Sequence, residues 1–428
     1  MSSGFITVLK NRDFLKIWIA QIFSQSANHL LNFLLVLQIY ELTKSNTMVS
    51  LLVLAFTIPS IFFGIYAGVC ADRFSQKRTM FLANVLRALI VLGYAYLGGT
   101  LWYIYLAAFL ISSAMQFFLP AEAARIPAIV KKENYLAANS LYIFTTYGAL
   151  LFGYSLAGVV QLLSFQERFL VISSFFIVAA VALSFLPLDL GRVEKMSVSS
   201  IFLGVKKDFK ESWDVIKTKP DIYMPIFYLV FIWVAVSITY VLLPSLALDI
   251  LNINTKEISH LVIIPAGIGV ISGAFVVEGF GRKFNKRKLI ALGFFLIGII
   301  GVLISTIPDS KDIFVNKFPE FFSTYHLALK IPIINILLFA IGFGAIFIIV
   351  PAQTLLQENT HVELRGRVFG FLSMLINISS FLPILFVGII ADLISMQNVM
   401  IIMSLAVVVV GILNLLYVYK IKPVNTNM

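Results

Sequence analysis

The stretch "DRFSQKR", residues 72–78, lies between two long apolar runs and returns as "GRKFNKR" at 281–287, again between two apolar runs. A second pair follows the same order. "PAEAAR" begins at Pro120 near the end of one run, and "PAQTLL" begins at Pro351 near the end of another. The second pair is spaced more widely than the first. The sequence supplies the insertion this needs: the connection at 308–330 is long, whereas its counterpart at 97–100 is short. A weak repeat of this kind, parallel in sense, is one architecture of membrane proteins built from two related halves.

Composition agrees. The chain has 428 residues, 60% of them hydrophobic and 12% charged, with 39 Phe. Its mean hydropathy is +0.97. Soluble domains carry about 25% charged residues, so this balance excludes a soluble protein. Twelve apolar runs are long enough to cross a bilayer, which takes about 20 helical residues. They lie near 14–42, 48–70, 79–97, 101–124, 139–163, 168–187, 223–249, 257–279, 288–307, 331–356, 367–391 and 397–419. The first is too long for a signal-peptide core and has no small-residue cleavage site, so it reads as a retained span. Cys70 is the single cysteine, which excludes an internal disulfide.

Net charge +11 raises the question of nucleic acid. The positions of the charges answer it. With the N-terminus inside, most of the 32 Lys and Arg fall in inside segments. Outside segments hold only Lys44, Arg168, Lys256, Lys311, Lys317 and Lys330, and Arg87 lies within a span. This is the positive-inside pattern. Both termini are therefore expected in the cytoplasm, the basic charge orients the chain in the bilayer, and no nucleic-acid partner is expected.

The expected fold is all-α: twelve transmembrane helices in two pseudo-symmetric six-helix bundles, 1–187 and 223–428, joined by a cytoplasmic linker at 188–222. In the linker, Ile201, Phe202, Val205, Phe209, Trp213 and Ile216 recur at helical spacing, with Lys and acidic residues between them. That pattern predicts an amphipathic helix on the membrane surface, stopped near Pro220.

At these residues the chain resembles a major facilitator superfamily transporter. The loop residues Gly68, Asp72, Arg73, Lys77 and Arg78 resemble that superfamily's signature loop, with Ser75 and Gln76 as departures. The segments "LKNRDFLKIWIAQIFSQSANHL", "FFLPAEAARIPAIVKKENYLAANSL" and "PAQTLLQENTHVELRGRVFGF" resemble the branch of macrolide-efflux and enterobactin-exporter proteins. The resemblance implies alternating access. It also implies that the five loop residues gate it, with Asp72 reaching the start of the eleventh span near Arg367. Two departures, Asn28 and Asn84, remove carboxylates that the branch often carries within the membrane.

The first span contains "QIFSQSANHLLN". At 100° per residue, Gln21, Gln25, Asn28 and Asn32 fall within about 60° of one another. Ser24 and His29 flank this seam. His29 is the one mid-span group that ordinarily titrates near neutrality, so it is either a coupling-proton carrier or a hydrogen-bonding residue of the bundle. Similar faces recur. Phe109, Ser113 and Gln116 line one face of the fourth span, and Trp233, Ser237 and Tyr240 one face of the seventh. In the resembled fold these spans border a central cavity, which makes these residues substrate-binding candidates; the alternative is interhelical hydrogen bonding.

Arg87 lies about nine residues into its span, roughly 13 Å deep at 1.5 Å per residue. Its three readings are an ion pair with Glu122, a contact with a substrate anion or lipid headgroup, and snorkelling. No acidic residue is expected clearly mid-membrane: Glu122, Glu278, Glu358, Asp249 and Asp392 all lie near span ends. That points away from cationic substrates. Gly148, Gly153 and Gly158 are expected to serve close helix packing, a hinge between the halves being the alternative.

The functional expectation is a secondary transporter, an antiporter if ion-coupled, exporting a hydrophobic or amphipathic small molecule. Lipid or lysophospholipid movement is the alternative, and a non-transporting scaffold a third. No nucleophile–base pair, metal ligand set or phosphate loop appears, so neither enzyme activity, metal nor cofactor is expected. The expected partners are the substrate, the lipid bilayer and protons through His29. The expected state is a monomer in a bacterial plasma (inner) membrane.

Overall fold

The computed structural model describes residues 3–98, 100–188, 220–251, 253–280, 284–317, 319–360 and 365–420. Among them, all regular structure is helical. The amphipathic helix expected at 201–216 lies outside the described residues.

The apolar runs become helices where polar residues cap them. Helix α1 is Ser3–Lys10. Asn11 follows it and caps α2, Arg12–Thr43, by accepting from the backbone N–H of Asp13 and Phe14. Lys44 ends α2 in the left-handed region, φ 50. Helix α3 is Asn46–Arg73. Ser75 caps α4, Gln76–Leu97. Helices α5, Leu101–Ile129, and α6, Tyr135–Val160, follow. Ser164 and Glu167 form a reciprocal capping box at the start of α7, Phe165–Ser184.

The second half of the chain contains α8, Pro220–Ser245, which widens into a π-turn at Leu246–Ile250. Helix α9, Thr255–Ile258, leads through a second π-turn, Ser259–Ile263, into α10, Ile264–Phe280. Then come α11, Lys286–Lys317, α12, Pro319–Asn359, α13, Arg365–Ile394, and α14, Met396–Lys420.

Eleven stretches are long and apolar enough to cross a membrane. Helix α2 is not among them, although its 32 residues give it about 48 Å of length. Its amides and terminal charges dilute its hydropathy. The protein is an all-α integral membrane protein with these eleven spans and α2 as a plausible twelfth.

One expectation is corrected. The segment 308–330, read as an outside loop, is helical apart from residue 318, which is not described: α11 continues to Lys317 and α12 starts at Pro319. Hydropathy marks where an apolar stretch ends, but backbone hydrogen bonding decides where a helix ends. Proline suits a first helical position, where its missing N–H costs nothing.

The chain forms two compact units, Met1–Lys44 with Leu51–Lys195, and Ser45–Ser50 with Met196–Met428. In the first, α2 packs on α6 and α7, and α4 packs on α5 and α7. In the second, α8 packs on α12 and α13, and α11 packs on α12 and α14. Numbered as spans, the pairs 1–5, 3–4 and 3–6 return as 7–11, 9–10 and 9–12. The repeat seen in the loops is thus also a repeat of packing.

Each unit has its own apolar core. Phe14, Ile17, Met80, Phe118 and Leu183 centre the first, and Leu229, Ile290, Phe294 and Ile348 the second. Opposite faces carry large exposed apolar residues, such as Leu82, Leu86 and Leu89 on α4. That stripe suits lipid contact and turns the other face of α4 inward.

Within the second unit, Asp392 near the end of α13 receives five hydrogen bonds from the start of α3. The donors are the backbone N–H of Asn46 (2.9 Å) and Thr47 (3.0 Å), the hydroxyls of Ser45 and Thr47 (both 2.7 Å), and the Asn46 amide (3.0 Å). A carboxylate suits this place, because the free N–H groups and the dipole of a helix N-terminus favour negative charge.

Candidate transport site in the first unit

The polar seam of α2 divides its contacts between two neighbours. Gln21 is buried, and its Nε2 donates to the Tyr142 carbonyl (3.1 Å) and the Thr146 hydroxyl (3.2 Å) on α6. Ser24 instead turns toward α4. Gln25 is buried, while Asn28, His29 and Asn32 are half-buried. The His29 ring meets Tyr154 edge to face at 5.8 Å. Gly153 beside it allows α6 to approach closely, because a Cβ there would lie 2.9 Å from the His29 Cβ and 2.8 Å from the Ser26 carbonyl oxygen.

Arg87 projects from the inward face of α4 and has no exposed surface, so the snorkelling reading is overturned. Its Nη2 donates to Ser24 Oγ and Asn84 Oδ1, both at 2.9 Å. Nε donates to the Ala83 carbonyl (3.2 Å), and Nη1 points at Met115 Sδ (3.2 Å). The rings of Phe118 and Phe176 lie 5.0 and 4.7 Å from the guanidinium carbon. An uncompensated cation in a bilayer costs at least about 2.5–3.5 kcal/mol. A desolvated cation–π contact returns about 2 kcal/mol, and hydrogen bonds to a charged group return about 1.5–3 kcal/mol each. These contacts offset much of that cost.

Glu122 on α5 is also fully buried. It is expected near a span end, and there the structure packs it into the interior of the first unit. Arg87 and Tyr142 act on it electrostatically. Yet neither carboxyl oxygen has a hydrogen-bond partner of full geometry. Arg87 and Glu122 form no direct ion pair, since the guanidinium donors go to neutral acceptors. A buried carboxylate without a bonded partner costs several kcal/mol, whereas an unsatisfied neutral polar group costs about 1–3 kcal/mol.

Phe109 lines a cavity of about 520 Å³ between α3 and α5, together with Leu51, Leu54, Ile58, Trp102 and Tyr105. Ser113 and Ser237 use their hydroxyls on carbonyls of their own helices, Phe109 (2.7 Å) and Trp233 (2.9 Å). Gln116 is half-buried in the first unit, as are Trp233 and Tyr240 in the second.

Of the loop residues, the surroundings of Gly68 and the side chains of Asp72 and Arg73 lie outside the described residues, as does the side chain of Arg367. The expected contact of Asp72 with the start of α13 falls there too. Arg78 is exposed. Lys77 donates to the carbonyls of Ser184 (2.7 Å) and Leu186 at the end of α7. Lys16 donates to the neighbouring Phe185 carbonyl (2.8 Å), and Arg125 to that of Pro187 (3.0 Å). Cations from α2, α4 and α5 thus converge on the C-terminal carbonyls of α7, where a helix favours positive charge. From the sequence, Lys77 carries a gating role by resemblance, and Lys16 and Arg125 count only toward the inside positive charge. Nothing in their spacing tells which carbonyls they meet.

Among the described residues, no cluster of His, Cys, Asp and Glu could hold a metal ion.

The sequence model of the Major Facilitator Superfamily matches residues 17–382. The MFS-type transporter YfiS of Bacillus subtilis is 24% identical over 393 residues, 89% of this chain and 87% of its own. The multi-drug resistance efflux pump PmrA of Streptococcus pneumoniae is 24% identical over 315 residues, 71% of this chain and 69% of its own. Among solved structures, a bacterial homologue of the human lysosomal transporter Spinster superposes with a TM-score of 0.69 at 12% identity, covering 97% of both chains.

Proposed function

Because the chain belongs to the Major Facilitator Superfamily, we propose that it exports a hydrophobic or amphipathic small molecule by alternating access. Membership makes it a membrane transporter and not an enzyme. The moving parts in this reading are 1–187 and 223–428, linked by 188–222, with both termini in the cytoplasm of a bacterial cell.

The observation that carries the substrate class is the cavity at Phe109, walled by aromatic and aliphatic side chains. Such a lining accepts bulky apolar bodies, and a few polar groups orient them. The amides of α2 that are half-buried, Asn28 and Asn32, are candidates for that role. The buried cation of the first unit, Arg87, favours neutral or anionic amphiphiles over cations. The likeness to PmrA, named as an efflux pump, supports the outward direction. A second reading, lysophospholipid movement, is favoured by the rim of the same cavity, where Trp102 is 85% exposed.

The test is flux in proteoliposomes with ethidium, radiolabelled chloramphenicol, fluorescein and a fluorescent lysophospholipid, with and without a pH gradient. Chloramphenicol or fluorescein is expected to move faster than ethidium, and Phe109→Ala is expected to slow it. Movement of the lysophospholipid alone establishes the second reading. Transport of ethidium alone, strictly with protons, overturns the substrate class proposed here.

A further inference from the structure

We propose that Glu122 is a proton-binding site, and that its protonation decides which acceptors hold the Arg87 guanidinium. The inference rests on the transporter reading above, and names a titrating group for the site.

The geometry is that of a switch resting in its protonated position. Glu122 is fully buried, and neither carboxyl oxygen has a hydrogen-bond partner of full geometry, although the Tyr142 hydroxyl lies against it. A guanidinium shares its pocket, which is the strongest partner a carboxylate can have. That guanidinium nevertheless bonds to Ser24, Asn84 and the Ala83 carbonyl. An ionised Glu122 would compete for it directly; a neutral acid does not.

The other groups around Glu122 are consistent with this. From α4 comes Arg87, and from α6 the Tyr142 hydroxyl. On its own helix, Arg125 gives Nη2 to the Pro187 carbonyl. Helix α2 contributes the neutral Ser24, bonded to Arg87, and Gln21, bonded to the Tyr142 carbonyl. Helix α7 contributes Phe176, stacked on the guanidinium. Arg87 is the cation that acts electrostatically on Glu122.

The step balances simply. The Glu122 O–H bond breaks, the proton leaves to water, and the electron pair stays on the carboxylate. Arg87 then exchanges Ser24 or Asn84 for Glu122. Because Ser24 lies on α2 beside the amide seam, losing or regaining this bond reaches the helix that carries Gln21, Gln25, Asn28 and Asn32. The direction is fixed: low pH keeps Arg87 on Ser24, and rising pH draws it to Glu122.

The test is infrared difference spectroscopy on the full chain in liposomes, stepping the pH. A carboxylic-acid carbonyl band is expected whose intensity falls as pH rises, and it is expected to be absent in Glu122→Gln. Labelling with carbon-substituted glutamate should shift the band in the unaltered protein, which assigns it to a glutamate even if the variant fails to fold. A band that survives in Glu122→Gln, that does not shift with the label, or that is missing at every pH overturns the inference. Flux without the band removes the proton site and leaves the transporter reading standing. A titrating band without flux of any probe does the reverse.

Discussion

A guanidinium with no exposed surface is held by whatever its donors meet, and Asn84 is the instructive partner of Arg87. Its Oδ1 lies 2.9 Å from Nη2, and its own amide donates to the Met80 carbonyl at 3.0 Å. Removing it in Asn84→Ala leaves one N–H of a buried cation unbonded, at a cost of about 1–3 kcal/mol. The expected outcome is a lower Tm for the purified protein, with Asn84→Asp retaining most of the stability by restoring an acceptor. A Tm unchanged in Asn84→Ala would show that Ser24 and the rings of Phe118 and Phe176 suffice. The i, i+3 relation of Asn84 and Arg87 was readable from sequence, because residues at that spacing share a helix face. The third partner was not: Ser24 lies 63 positions away, and no pattern within α2 says that it faces α4.

Among elements, α6 shows how one helix can have glycines of different meaning. A Cβ added at Gly153 would sit 2.8 Å from the Ser26 carbonyl oxygen and 3.0 Å from the Leu30 nitrogen, both backbone atoms of α2. One added at Gly148 would meet nothing within 4 Å. Close approach of backbones through small residues is a common basis of helix packing in membranes. Gly153→Ala is therefore expected to push α2 and α6 apart and destabilise the protein by about 1–3 kcal/mol, the usual cost of overpacking. Gly148→Ala is expected to be neutral or stabilising by up to about 1 kcal/mol, through helix propensity. Thermal unfolding in detergent of the two variants side by side checks this, and equal effects would refute it. Both glycines look alike in sequence. Only the crossing point of α2 on α6 separates them. The capping residues behave oppositely: Asn11, Ser75 and the Ser164–Glu167 pair are local signals, and they act locally in the structure.

For the molecule as a whole, the charges of the loops predict which side each faces. In a Cys70→Ser background, Thr100→Cys between α4 and α5 should react with a membrane-impermeant maleimide added to intact cells, and Lys131→Cys beyond α5 should react only after lysis. Both native residues are exposed, so access is governed by the membrane. The reverse labelling would invert the topology. Length, composition and the paired loops at 72–78 and 281–287 were enough to determine an all-α membrane protein of repeated halves, because hydropathy and the positive-inside bias are sums over local segments that no neighbour can change. They also located the amide seam of α2, since helical periodicity is a property of one helix. What the tertiary structure alone decided is who answers each polar group. It put Gln21 on α6 and Ser24 on Arg87, gathered Lys16, Lys77 and Arg125 onto the end of α7, seated Asp392 on the first turn of α3, and buried Glu122 beside a cation that bonds elsewhere. A polar side chain in a bilayer must find its partner inside the protein, and that partner is set by which helices touch, at what depth and in what rotation, none of which a single helix encodes.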